Sequence, residues 1–211
     1  MYSYSLYGEH VSCDFKINSL NSFKKKTNSI LISPSKKKNL SFNKDVFSLN
    51  KQFGYFCKKD VCKIEIKEGK NIHYAFNNRI SDFQKFQIIA SQPFAYLFYQ
   101  RGKLVLHGSA IEINGRAFLF IGISTSGKSF FASNLLDKSK LITEDICVID
   151  IIDDSFFVRP SIPIIKLDNP SIITSKNIKS EHKLIDKRNR KAVLLNNSKF
   201  SSNSIKIEAC F

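Results

Sequence analysis

"GISTSGKS" occupies Gly122–Ser129 and meets the pattern G-x-x-x-x-G-K-[S/T] at every fixed position. Glycines in such a loop let backbone N–H groups turn inward with no Cβ in the way. The lysine can reach β- and γ-phosphates, and the following hydroxyl can ligate Mg²⁺. So short a pattern also matches by chance, and the flanks decide between a phosphate cradle and a glycine-bearing turn. Upstream, "RAFLFI" is a nearly continuous apolar run, as expected of a strand covered on both faces. Downstream, "SGKSFFASNLLDK" predicts a helix whose inward face carries Phe131, Ala132, Leu135 and Leu136. The N-terminus of that helix adds roughly half a positive charge. Strand, loop and helix in this order predict a nucleotide-phosphate site made of Gly122, Ile123, Ser124, Thr125, Ser126, Gly127, Lys128, Ser129 and Phe130.

Working outward, Asn114-Gly115 favours the positive φ angles of a type I′ turn, which predicts that Ile111–Asn114 and Arg116–Ile121 pair antiparallel. After the helix, a metal-assisted site needs a carboxylate at the end of a following strand. "KLITEDICVIDIIDD" supplies Glu144-Asp145 between two β-forming runs, sixteen residues beyond Lys128–Ser129. Charges there are costly to bury, so an exposed strand end is the plain alternative. Beside a phosphate loop, a metal and proton-transfer role for the pair is the stronger reading. Asp153-Asp154 reads as a turn.

The first hundred residues have a different texture. "YSYSLYG" and "EHVSCDFKI" read as strands, and "YFCKKDVCKIEIKEG" as a hairpin. Residues 17–46 are rich in Lys, Ser and Asn and read mostly as loop, with a strand at "ILIS". "DFQKFQIIASQPFAYLFYQRG" predicts one helix, stopped at Arg101-Gly102. The predicted organisation is a smaller β-rich N-terminal lobe over 1–100 and an α/β core with a mixed sheet over 101–211.

No apolar run approaches the roughly 18 residues needed to span a bilayer. The N-terminus lacks the basic start and apolar stretch of a signal peptide. A cytoplasmic protein without a membrane partner is expected. The five cysteines are scattered, and only "CKKDVC" brings two close together, so reduced and mostly buried thiols are expected rather than a zinc site or a disulfide framework. The net charge of +15 invites a nucleic-acid reading. Its basic runs lie apart, however, and no nucleic-acid-binding motif accompanies them. A solvated basic surface is the leading reading, an acidic peptide or nucleotide partner the next, and nucleic acid the last.

The run "LVLHGSAIEINGRAFLFIGISTSGKSFFASNLLDKSKLITEDICVID" resembles the HPr kinase/phosphorylase family and its smaller relatives found beside modified-peptide gene clusters, such as those for lasso peptides. His107 fits the family's histidine and Glu144-Asp145 its acidic pair. "YSLYGEHVSCDF" and "VRPSIPIIKLDNPSI" are similar to segments of the peptide-cluster relatives. The resemblance implies a P-loop kinase core that uses ATP and Mg²⁺ to phosphorylate a serine hydroxyl on a protein or peptide, with a homo-oligomer left open. It implies that Lys128 and the loop amides hold phosphates and that Ser129 and Asp145 lie on the metal side. Glu144 takes the general base position, and His107 lies near the transferred group. From the residues alone, His107 is as readily a structural hydrogen-bonder. Glu144 stands where the family usually has aspartate, and Thr125 where many relatives have glycine. Relatives place a catalytic arginine in a longer C-terminal part. Here the core is expected to be shortened, with Arg188 or Arg190 able to supply that group or simply lining a solvated loop. The alternative to a kinase is a catalytically weak or regulatory nucleotide-binding protein.

Overall fold

A computed structural model describes residues 1–17, 20, 30–36, 44–185 and 188–211. The chain divides into two units, Met1–Lys103 and Leu104–Phe211. The fold is mixed α/β, with several sheets and few helices.

In the first unit, β1 (Tyr2–Leu6), β2 (Glu9–Cys13), β3 (Ile30–Pro34), β4 (Val46–Leu49), β5 (Phe53–Lys58), β6 (Cys62–Lys67) and β7 (Asn71–Phe76) form one sheet. Its order is β1-β2-β3-β7-β6-β5-β4, with parallel pairs at β2–β3 and β3–β7. The hairpin expected around "CKKDVC" is β5–β6, turned at Asp60 with φ +57°. The "ILIS" strand is β3. The rest of the Lys/Ser/Asn-rich stretch lies largely outside the described residues.

The single helix expected over 82–102 is two helices, α1 (Asp82–Ile89) and α2 (Gln92–Gln100). Pro93 causes the break. It has no N–H to donate and its ring clashes with the preceding turn, so it sits in the first turn of a new helix instead. Ser81 starts α1 with a capping box completed by Gln84. Phe86, Ile89, Phe94, Leu97 and Phe98 are buried.

The second unit opens with β8 (Leu104–Ile113) and β9 (Arg116–Ile121), paired antiparallel through Asn114-Gly115 at φ +50° and +76°, as the type I′ reading requires. Then come α3 (Lys128–Asn134), β10 (Lys140–Thr143), β11 (Ile146–Ile152) and β12 (Ser155–Val158). Asp153 and Asp154 make the turn between β11 and β12, both with positive φ. The chain continues through β13 (Ile164–Leu167), β14 (Ile178–Lys183), β15 (Lys191–Leu195) and β16 (Ile205–Cys210). The ladders β8–β9, β9–β16, β16–β12, β12–β11 and β11–β8 close on themselves, and β16 runs parallel to β9. Inside the ring lie Ala110, Ala117, Leu119, Ile142, Cys147, Ile149 and Val158. A second core outside it joins Ile111, Ala132, Leu136 and Leu141 to Ile165, Leu167, Val193 and Leu195 of the small sheet β13-β15-β14.

This double burial explains the unbroken apolar run before the loop. Ala117 and Leu119 point into the ring, while Phe118 and Phe120 pack against the outer core. Period-2 geometry sends alternate side chains to opposite faces, and both faces are covered. The helix after the loop differs from expectation. α3 spans seven residues rather than the whole of 126–138, because Ser133 Oγ and Asn134 Nδ2 both donate to the Phe130 carbonyl and compete with the helical ladder. Ala132, Ser133 and Leu136 are buried, whereas Phe131 and Leu135 are exposed. Phe131 instead stacks on Phe120 beside the loop, with ring centroids 6.2 Å apart.

Candidate functional site

Gly122–Gly127 is a compact loop between β9 and α3. A Cβ on Gly122 would stand 3.0 Å from Ser126 Oγ, and Gly127 caps α3 at φ +90°, a left-handed conformation that favours glycine. Thr125 adopts φ +74° with a β-branched side chain. Lys128 folds back under this loop and is 8% exposed. Its Nζ donates to the carbonyl oxygens of Gly122 (2.9 Å) and Ile123 (2.6 Å), with Ser126 Oγ at 3.4 Å. An ammonium has three N–H groups. Two are well used on loop carbonyls, and the third is only loosely engaged.

β10 and β11 pair with the same edge of β8 and act as one strand interrupted at Glu144-Asp145. The interruption has three causes. The register slips between Leu141 and Thr143, Asp145 turns to φ +77°, and Thr143 Oγ1 donates to the Ile146 carbonyl at 2.6 Å. Such irregularities re-aim side chains that a regular ladder would send elsewhere. Opposite lies Gly108, whose N–H donates to the Asp145 carbonyl at 3.2 Å. A Cβ there would meet the Phe120 backbone oxygen at 2.7 Å, so the sequence His107-Gly108 admits no larger residue at its second position.

The result is a carboxylate against the loop. Ser129 Oγ donates to Glu144 Oε1 at 2.9 Å. Glu144 is buried, and burial pushes its carboxyl up to about 7 from 4.5. The neighbouring Asp145 acts in the same direction, while Lys166 and the Ser129 hydroxyl oppose it. Lys166 Nζ donates to Asp145 Oδ2 at 2.7 Å. Burial pulls the Lys166 ammonium down, but Asp145 and Glu144 together outweigh it, and its affinity for the proton is raised. His107 Nδ1 lies 2.8 Å from the Asp145 carbonyl oxygen, which can only accept. Nδ1 therefore carries a proton and donates it to that carbonyl.

A cavity of about 410 Å³ gathers these groups. It is lined by Ser124, Thr125 and Gly127–Phe130 from the loop side, by His107–Ser109 from β8, by Glu144-Asp145, and by Lys166, Arg188 and Arg190. Gly122 and Ile123 belong to the loop without lining the cavity. Ile123 is 82% exposed, and Ser126 reaches Lys128 rather than the cavity. Arg188 ion-pairs with Asp168, which also lines the cavity. The sequence reading did not single out Lys166. Its signal was a lone cation in the apolar run "IPIIKLD", a residue costly to bury unless paired. Ser109 also escaped notice. It is 1% exposed, and its Oγ has no hydrogen-bond partner among the described residues.

Among the described residues no three His, Cys, Asp or Glu side chains converge as a metal cage. Mg²⁺ does not require one. It favours one or two carboxylates with phosphate oxygens and waters. The oxygen donors of Ser129, Glu144 and Asp145 suit that cation. The five cysteines are free, and four of them are buried. Among the described residues no helix is long and apolar enough to cross a membrane.

No family model matches the chain, and no curated protein matches it. Among solved structures it is similar to the Hpr(Ser) kinase/phosphatase from Coxiella burnetii, at 14% identity with a TM-score of 0.36. The likeness covers 51% of this chain and 58% of that one, so the chain spans little more than half the length of that structure. It is a distant likeness of fold.

Proposed function

We propose that this chain is a phosphotransferase that moves the γ-phosphoryl group of ATP, with Mg²⁺, to a serine hydroxyl of a protein or peptide. The observation that carries the reading is the Ser129–Glu144 hydrogen bond at 2.9 Å, which puts a buried carboxylate against the Gly122–Ser129 loop in one cavity. The sequence resemblance to HPr kinase/phosphorylase points the same way.

The roles follow from the chemistry. Phosphoryl transfer asks mainly for positioning and neutralisation of charge. The loop amides and Lys128 hold the phosphates. Ser129 and Asp145 would hold Mg²⁺, which when bound neutralises phosphate charge. Glu144 accepts the proton of the acceptor hydroxyl as its oxygen bonds to phosphorus and the bond to the ADP leaving group breaks. Lys166 pins Asp145 and offsets the charge of two adjacent carboxylates. His107 fixes the Asp145 backbone through its Nδ1–H. Arg188 and Arg190 add positive charge to the same cavity.

A second reading, a nucleotide binder with little transferase activity, is favoured by the same hydrogen bond, since it engages the base and the Ser129 hydroxyl with each other. Incubation with γ-labelled ATP, Mg²⁺ and serine-bearing peptides separates the two. Label on peptide serine with the wild type, lost in a folded Lys128→Ala variant, is the expected result. Undiminished labelling by Lys128→Ala would refute the proposal, and saturable ATP binding with no transfer to any acceptor would favour the second reading.

A further inference from the structure

Ser109 sits where the two halves of the site meet. On one side it pairs with Phe120, two residues before the loop begins. On the other, Thr143 pairs with Ala110 and Ile146 with His107, which sets Glu144 and Asp145 level with Ser109 and Gly108. Alternation along β8 turns Ser109 to the same face as Ile111, whose side chain belongs to the core shared with α3. Its residue lines the cavity together with Gly127, Lys128, Ser129 and Glu144. The hydroxyl is buried, yet among the described residues nothing accepts its proton or donates to it.

A buried hydroxyl without a partner is a loss that folding does not require. Serine already places a Cβ at this position, so a methyl group takes no space that the serine side chain does not. Alanine at position 109 would keep the packing and remove the loss. The hydroxyl therefore has its use in what enters the cavity. An O–H beside Lys128 and Ser129 is a donor suited to an anionic oxygen, and such hydrogen bonds to charged acceptors are among the strong ones.

We infer that Ser109 is a nucleotide-contacting residue whose hydroxyl donates to an oxygen of the terminal phosphate, between the Lys128 loop and Glu144. The inference rests on the phosphotransferase reading and adds to it a residue that separates ATP from ADP.

Calorimetric titration tests it, with the β,γ-imido analogue of ATP and with ADP, each with Mg²⁺, against wild type and Ser109→Ala. Wild type binds the analogue more tightly than ADP. Ser109→Ala weakens the analogue roughly tenfold, leaves ADP within about twofold, and melts no lower than wild type in the absence of ligand. Unchanged affinity for the analogue overturns the inference, as does equal weakening of both ligands. A lowered melting temperature of the ligand-free variant also overturns it, because the hydroxyl would then serve the fold. Failure of wild type to bind either nucleotide would defeat the phosphotransferase reading itself, and this inference with it. A wild type that discriminates ATP from ADP while Ser109→Ala discriminates equally well defeats this inference alone.

Discussion

Thr125 carries a β-branched side chain at φ +74°, where a Cβ is crowded and glycine is not. Such a residue costs about 1–3 kcal/mol, whereas the added chain entropy of glycine costs about 0.5–1 kcal/mol. Thr125→Gly is therefore expected to melt no lower than wild type. Gly127→Ala, at φ +90°, is expected to lose about 1–2 kcal/mol. Thermal unfolding of the two variants checks both. Glu144 yields a pH dependence. Its folded-state carboxyl is raised to about 7, so the folded protein binds this proton more tightly than the unfolded chain does. Its contribution to stability is fully present below about pH 4.5, falls as pH rises towards 7, and is flat above. In the metal-free protein, the stability of wild type relative to Glu144→Gln should fall across that window by an amount on the order of 3 kcal/mol. Denaturant titrations at pH 4.5, 6 and 8 measure it, and a difference that rises with pH would contradict the assignment.

At the scale of elements, the ribbon of β8 with β9 on one edge and β10–β11 on the other does the positioning. Gly108 is a point of close approach in it. Gly108→Ala drives a Cβ to within 2.7 Å of the Phe120 backbone oxygen, and backbone cannot swing aside as a side-chain tip can. A loss of at least about 2 kcal/mol is expected, read as a lowered denaturation midpoint with Lys128 and Glu144 still in place. These elements were unequally legible in the sequence. The β8–β9 turn could be read from Asn114-Gly115, and the fully covered strand from "AFLFI", because each rests on local geometry. The length of α3 could not, since Ser133 and Asn134 bond back to Phe130 only once that turn exists. The outward turn of Phe131 depends on Phe120 standing beside it. Pro93 was visible in the sequence, but a helical periodicity running through it masked the break.

At the scale of the molecule, the second unit brings together chemistry that is far apart along the chain. Lys166 lies twenty-one residues beyond Asp145 in another sheet, yet their charged atoms are 2.7 Å apart. No spacing rule signals such a pair, and only its cost as a buried cation hints at it. The outer core that holds these parts together passes through Leu136, which is 1% exposed. Leu136→Ala is expected to cost about 2–5 kcal/mol and to weaken nucleotide binding through the loop it supports, as parallel melting and binding curves would register. Charge is spread differently. The net +15 includes basic runs far from the cavity in sequence, so the excess is no guide to where an anion binds.

The proposed phosphotransferase requires the amides of Gly122–Phe130 to receive a triphosphate beside Glu144-Asp145. Backbone amide chemical shifts followed by NMR during titration with Mg²⁺ and the β,γ-imido analogue of ATP test it most directly. The expected result is saturable shifts centred on Gly122–Phe130, with smaller ones at Ser109, Glu144 and Asp145, and their loss in Lys128→Ala. Saturable binding that leaves the loop amides unmoved, or shifts centred away from this cavity, would contradict it.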